Sequence, residues 1–187
     1  MIARSRHLHL TAWSFFTDPP RTSARVAARI AQAAGATLSF DPGSFQMIQE
    51  MGVDHFIAVT RDLGIDVFLP NKEEGEILTG LKDPEAIARD LTEIYEGSLV
   101  ILKLDSDGAL VWLDGAAHLI PPATNNLVDA TGAGDSFAGA FLARYLTGDT
   151  PVAAATFATG VAAWVIEHPG ARPTGDDRLA RLIGSAR

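Results

Sequence analysis

A chain of 187 residues, 47% hydrophobic and 20% charged, has the composition of a soluble globular protein and the length of one domain, residues 1–187, rather than that of a disordered or fibrous chain. Its 15 Lys and Arg against 23 Asp and Glu give a net charge of −8, without the basic footprint that nucleic acid needs, although helix starts and backbone amides still bind a nucleotide's phosphates locally. The absence of cysteine removes disulfides, thiolate catalysis and Cys-ligated metal, and fits a reducing cytoplasm.

The first residues carry Arg4, Arg6, His7 and His9 but no apolar stretch of signal-peptide length. A strand is expected at His7–Ala12. Asp18 then serves as N-cap and Pro19 as first helical residue of a helix to about Ala34, ended by Gly35. A second strand, Thr37–Asp41, leads into a helical region from Ser44 to Leu63 that breaks near Gly52. The apolar run Ile65–Leu69 reads as a third strand, of the continuous kind that suits a parallel sheet covered on both faces. A short helix follows over Lys72–Leu78, another from the Asp83-Pro84 cap signal to Tyr95, then a strand over Leu99–Leu104. Turn sequences at Ser106-Asp107-Gly108 and Asp114-Gly115 separate the short runs Ala109–Leu113 and Ala116–Ile120, the pattern of an antiparallel hairpin. Helices are expected over Gly134–Leu146, Val152–Ile166 and about Asp177–Ile183. The run Val152–Ile166 is interrupted by Thr156, Thr159 and Gly160 and falls short of the roughly 20 residues of a membrane span, so it reads as a buried helix and no membrane partner is expected. Alternating β and α units of this kind build a three-layer α/β/α fold with a mostly parallel sheet, in which ligands bind where strand C-termini meet helix N-termini.

The stretch Asn126-Leu127-Val128-Asp129-Ala130-Thr131-Gly132-Ala133-Gly134-Asp135-Ser136-Phe137 carries the chemistry. Gly132 and Gly134 let the backbone turn tightly and approach a ligand, and amides at the start of the next helix make an anion hole. Asp135, in the first helical turn, holds a carboxylate beside that hole, suited to taking a proton from a hydroxyl that attacks phosphorus. Taken alone, a GxGD segment reads more simply as loop-shaping glycines and a helix residue that complements the dipole.

The wider string Asp129-Ala130-Thr131-Gly132-Ala133-Gly134-Asp135-Ser136-Phe137 closely resembles the C-terminal signature of the ribokinase-like (PfkB-type) carbohydrate kinases, DTxGAGD followed by a small residue and Phe. The resemblance implies an ATP-dependent phosphotransferase acting on an alcohol group of a sugar or nucleoside. Asp135 would be its catalytic base, and the backbone of Gly132, Ala133 and Gly134 would hold the migrating phosphoryl group. Upstream, Asn71-Lys72-Glu73-Glu74 resembles the family's N-x-x-E motif, which implies that Asn71 and Glu74 help position Mg2+ and the ATP phosphates through water and face the same cleft as the GAGD loop. Read by itself, the same segment is a helix N-cap followed by early glutamates. Lys103-Leu104-Asp105-Ser106-Asp107-Gly108-Ala109 resembles the strand and turn along which the nucleotide lies, bringing in Lys103 and Gly108, with Asp105 where the family commonly has Gly. Glu167-His168-Pro169-Gly170-Ala171-Arg172-Pro173-Thr174 resembles the G-A-x-x-[ST] loop. Carried over, the Gly170 backbone and the Thr174 hydroxyl, with Asp129, would border a K+ ion in members that use one.

Other residues read more plainly. His168 is expected as a surface loop histidine, Trp13, Trp112 and Trp164 as core or half-buried side chains, and Asp41-Pro42-Gly43 as a strand-ending turn where relatives often carry Asp-Pro-Asn near the substrate. The chain contains no GxxxxGK[ST] loop, GxSxG elbow, HExxH or early-strand GxGxxG, which disfavours a dinucleotide-dependent oxidoreductase. The resemblance also implies that the family's N-terminal strands, Gly-Gly motif and lid are missing, so that Met1 marks a truncated gene model, an internal start or a degenerate gene. A sheet without those neighbours exposes an edge and is expected to associate, for instance as a homodimer. The alternative to an enzyme is a non-catalytic nucleotide-binding remnant.

Overall fold

The computed structural model describes residues 2–184. Six strands, β1 (His7–Thr11), β2 (Thr37–Asp41), β3 (Val67–Phe68), β4 (Leu99–Lys103), β5 (Ala109–Leu113) and β6 (Ala116–Ile120), form one sheet in sequence order. β1 to β4 are parallel, with His7 opposite Thr37, Ser39 opposite Val67 and Val67 opposite Leu99. The connections 104–108 and 114–115 are far too short for a parallel crossover, so β5 and β6 extend the sheet as hairpins. With its helices this is a three-layer α/β fold around a mostly parallel sheet. The third strand is shorter than its apolar run, though Leu69 N–H still donates to the Phe40 carbonyl at 2.9 Å.

The chain divides into two compact units, Met1–Leu102 with Trp112–Ala117, and Lys103–Val111 with His118–Arg187. The first contains α1 (Pro20–Ala33), α2 (Phe45–Met51), α3 (Val53–Thr60), α4 (Lys72–Thr79) and α5 (Pro84–Ile94). Its core is a chain of aromatic contacts: Phe15 meets Phe40 edge-on at 5.4 Å, Phe40 stacks on Phe68 at 6.1 Å, and Phe68 meets Tyr95 at 4.4 Å. Burial pushes the Tyr95 phenol up to about 12, and its oxygen is 3.2 Å from the Thr60 hydroxyl, which supplies the partner a buried OH requires. One face of the β1–β2 pair is polar, as strand alternation dictates: the Ser39 hydroxyl bonds both His7 Nε2 (2.8 Å) and His9 Nδ1 (2.7 Å). Burial and the neighbouring His9 lower the His7 pKa.

The sequence places the start of α1 one residue too early. The helix begins at Pro20 with Pro19 at the N-cap, and Asp18 serves it from one position further out, accepting from Thr22 N–H at 3.2 Å and from the Thr22 hydroxyl at 2.9 Å. Two successive prolines cause the shift, since either ring is acceptable at a helix start and both lack the donor that a cap would satisfy.

The second unit contains α6 (Ala133–Tyr145), α7 (Pro151–Ile166) and α8 (Asp177–Gly184). α7 starts where Thr150 accepts the Ala153 amide and Pro151 takes the first position. Its small residues Ala154, Ala155 and Ala158 are buried, as are Phe137, Ala138, Phe141 and Leu142 of α6, which packs against it. Among the described residues no helix is long and apolar enough to cross a membrane.

Candidate functional site

The glycine-rich loop ends at Gly132, which caps α6 with φ 79°. Two constraints demand glycine there. The left-handed backbone disfavours any L side chain, and a Cβ would stand 2.8 Å from the Ala171 carbonyl oxygen and 2.9 Å from Ala171 Cα. Ser136 N–H donates to Gly132 O at 2.9 Å, which starts the helical ladder, and Ala133 N–H is turned back to Ala130 O at 3.1 Å. The Ala133 amide is therefore committed within the loop, leaving Gly134 and Asp135 as the first-turn amides with no carbonyl one turn back inside the helix. Asp135 is the third residue of α6, and its side chain is exposed.

Lys103, the last residue of β4 and half-buried, reaches the same helix start. A Cβ on Gly134 would lie 3.7 Å from its Nζ, ordinary contact distance, so an ammonium stands beside the first turn of α6. The adjoining turn explains two further residues. Asp105, where the family commonly has Gly, has φ 52° in the left-handed region, which Asp tolerates better than most residues. Gly108 has φ 90°, and a Cβ there would strike Ile120 O at 2.1 Å, so close approach of the hairpin accounts for this glycine without a ligand.

A second loop, after α7, is laced onto the first. Val128 and Asp129 N–H both donate to the Ile166 carbonyl, at 2.8 and 3.1 Å. The Asp129 carboxylate accepts Thr131 N–H at 2.9 Å through Oδ1 and Gly170 N–H at 2.8 Å through Oδ2. The Thr131 hydroxyl and amide, then the Gly170 amide, hold its pKa down to about 2. Glu167 accepts from the Thr124 hydroxyl and from Arg178, and these bonds lower its pKa. Thr174 is exposed. His168 is not a free surface histidine: it is half-buried, its ring lies 4.5 Å from Trp164, Nδ1–H donates to the Trp164 carbonyl at 2.7 Å, and Nε2 is 3.9 Å from Asp176 Oδ2. Asp176 also accepts the Trp164 indole N–H at 2.9 Å and caps α8 through Leu179 N–H at 2.8 Å.

In the first unit, Asn71 and Glu74 form a complete capping box on α4. Asn71 Oδ1 accepts Glu74 N–H and Glu74 Oε2 accepts Asn71 N–H, each at 2.8 Å. Glu74 is 2% exposed, while Asn71 is half-buried. Asp41 closes the strand-ending turn by accepting Gly43 N–H at 3.0 Å. Trp112 and Trp164 are buried, but Trp13 is 61% exposed, against expectation; it is the middle residue of a single 3-10 turn, Ala12–Ser14, that follows β1 and buries Ala12 instead.

A family model described as pfkB family carbohydrate kinase matches residues 2–177, spanning both loops, α6 and α7. The chain belongs to this family. Among similar proteins, an ATP-dependent ribose-1-phosphate kinase from Halopiger xanaduensis is 33% identical over 184 residues, 97% of this chain and 56% of the relative. Adenosine kinase from Sinorhizobium meliloti superposes with a TM-score of 0.88 at 23% identity, over 100% of this chain and 56% of that one, a likeness that speaks for the fold. Fructokinase from Vibrio cholerae O395, in its fructose, ADP and calcium ion bound form, gives a TM-score of 0.77 at 26% identity, over 88% of this chain and 56% of that one. The pfkB chain thus spans just over half the length of these relatives.

The family resemblance brought the Gly170 backbone and Asp129 together as borders of a cation, and the structure joins them by a direct hydrogen bond. The other ties between the two loops, Thr124 to Glu167 and Gly132 against Ala171, carry no local signal in the sequence.

Proposed function

We propose that this chain carries the phosphoryl-transfer part of an ATP-dependent kinase acting on an alcohol group of a sugar or nucleoside. The observation that carries the reading is Asp135, exposed in the first turn of α6, with the Gly134 and Asp135 amides and the Lys103 ammonium at the same helix start. A carboxylate so placed takes the proton of the acceptor hydroxyl as that oxygen bonds to the γ-phosphorus, while the bond from phosphorus to the β,γ-bridging oxygen breaks and ADP leaves. The amides and Lys103 counter the charge on the transferred group, and Gly132 holds the loop close enough for them to do so.

Among the described residues no group of three or more His, Asp or Glu stands ready to hold a metal ion, so Mg2+ would be held mainly by water and by the phosphates, the way this ion commonly binds. Bound there, it would neutralise phosphate charge. Asn71 and Glu74 remain the magnesium-associated pair by family resemblance, acting through water because the capping box already engages them. Gly108 is assigned an indirect part, shaping the turn beside the nucleotide. A K+ ion at Asp129 and Thr174 would have to share carboxylate oxygens that already accept two amides. The fructokinase solved with fructose, ADP and calcium supports a sugar and a nucleotide with a divalent ion as the ligand set. The kinase reading goes with a cytoplasmic protein, and the outer edge of β1 is the surface on which a homodimer would form.

The test is ATP consumption with Mg2+ and a panel of sugars and nucleosides, using the chain alone and an N-terminally extended form of its relatives' length. Asp135→Asn should lower turnover by roughly 10²–10⁴ in whichever form is active. Turnover unaffected by Asp135→Asn would overturn the assignment. ATP binding without turnover in both forms would favour a nucleotide-binding remnant.

A further inference from the structure

The polar face of the β1–β2 pair is built around one hydroxyl. Ser39 is 0% exposed, and two imidazole nitrogens converge on its Oγ, His7 Nε2 at 2.8 Å and His9 Nδ1 at 2.7 Å. The other ring nitrogen of His7, Nδ1, lies 2.8 Å from the Thr37 hydroxyl. His7 and His9 are two residues apart on a strand and so share a face, and the register sets His7 opposite Thr37 and His9 opposite Ser39. These side chains thus run a second row of hydrogen bonds along the junction of β1 with β2, wholly within the first unit.

The row holds a limited number of protons. A hydroxyl donates one hydrogen bond, so Ser39 gives its hydrogen to one ring and must accept from the other. With both rings neutral the row closes: His9 Nδ1–H donates to Ser39, Ser39 donates to His7 Nε2, and His7 Nδ1–H donates to Thr37. One added proton is accommodated. Placed on His9 it leaves the row unchanged, and placed on His7 it only turns the Ser39 hydroxyl round to donate to His9 Nδ1. A second added proton has no such solution. Both rings then aim an N–H at one oxygen, the buried Ser39 hydrogen loses its ring acceptor, and two positive charges stand against the same atom.

Burial lowers the His7 pKa, His9 lowers it further, and Asp66, just ahead of β3, raises it. Asp66 is itself engaged, its Oδ2 accepting Leu38 N–H at 2.7 Å. Charged groups on the elements packed against β1 have partners or places of their own. Asp41, at the far end of β2, accepts Gly43 N–H; on α1, Arg21 donates to the Phe15 and Phe16 carbonyls, Arg25 donates to the Val59 carbonyl, and Arg29 lines a cleft with Asp62.

We propose that His7, Ser39 and His9 form a one-proton latch, which closes the edge strand β1 onto β2 while at most one of the two rings is charged and releases it when both are. The sign follows from the lowered His7 value: the stabilisation is whole above the ordinary 6.5 and is lost as pH falls through the folded-state value, so release comes on the acid side. Once released, β1 uncovers the edge of β2, where another strand can pair.

Hydrogen exchange of the intact chain, expressed as protection factors between about pH 7.5 and pH 5, tests the latch. β1 should lose protection roughly tenfold across that range, while β4, in the same sheet but without histidine, keeps its own. Ring-nitrogen NMR should show the two histidines taking their protons in two separate steps, the second coinciding with the loss of β1 protection. His9→Gln removes the second proton and keeps an acceptor for the Ser39 hydroxyl, so β1 should stay protected down to about pH 5. Level protection of β1 in the parent, an equal fall in β4, independent titration of the two rings, or an undiminished fall in His9→Gln would each overturn the latch. The strand comparison and the ring titration use the unmodified chain, and they decide the question even where His9→Gln fails to fold.

Discussion

Gly132 lies against Ala171 so closely that a Cβ on the glycine would stand 2.8 Å from the alanine's carbonyl oxygen. With φ 79°, the position also forbids a relaxed L side chain. Gly132→Ala should therefore destabilise by about 1–2 kcal/mol from backbone conformation alone, and more from the collision. Urea unfolding is the measurement; an unchanged midpoint would mean that the 170–172 loop yields freely.

Gly134 offers the opposite case. It sits in the first turn of α6 with ordinary helical backbone, and a Cβ there would only reach contact distance, 3.7 Å, from Lys103 Nζ. Gly134→Ala should leave stability unchanged or raise it by up to about 0.5 kcal/mol. If phosphate approaches this backbone, ATP affinity should nonetheless fall about tenfold, on the order of 1.4 kcal/mol. Calorimetry that finds full affinity would remove Gly134 from the phosphate site.

Asp129 ties the two loops as a carboxylate, with its pKa lowered from 3.8 to about 2. A depressed folded-state pKa means that the group stabilises fully above its ordinary value and loses that contribution as pH falls through the folded value. The stability advantage over Asp129→Asn should thus be constant at neutral pH and shrink between pH 3.8 and about 2. Thermal melts across that range are the check, and an advantage that is flat down to pH 2 would show that the charged form is not what the amides select.

Asn71 and Glu74 separate by substitution. Asn71→Ala removes the cap of α4 and should cost about 1 kcal/mol in denaturant unfolding. Glu74→Gln keeps a side-chain acceptor for the Asn71 amide, so its cost in stability should be smaller. A rise in the Mg2+ concentration needed for ATP turnover by Glu74→Gln would add the magnesium role to the cap. If both variants change stability alone, the motif is a helix cap.

Much of the chain was legible because its signals are local. Thr150-Pro151, Asp83-Pro84, Ser44 and Asn71 each start a helix, since an N-cap bonds an amide two or three residues ahead and needs nothing from the rest of the fold. The hairpin over 109–120 followed from two turn sequences, and the start of α6 followed from glycines within one loop. Even local rules conflict where signals double, as at Pro19-Pro20, where the helix began one residue later than expected.

The tertiary structure decided what depends on approach between distant segments. Nothing within Thr131-Gly132-Ala133 announces Ala171, and nothing near Lys103 announces Gly134, because side-chain reach is set by how β4, α6 and the loop after α7 pack and not by spacing along the chain. The sequence likewise led to Trp13 being expected as a core or half-buried side chain. Burial is a property of the neighbours that surround a residue, and at the end of β1 those neighbours support the indole along one edge and leave 61% of the residue open. Residue chemistry named the groups able to move a proton or hold a phosphate, and only packing determined which of them meet.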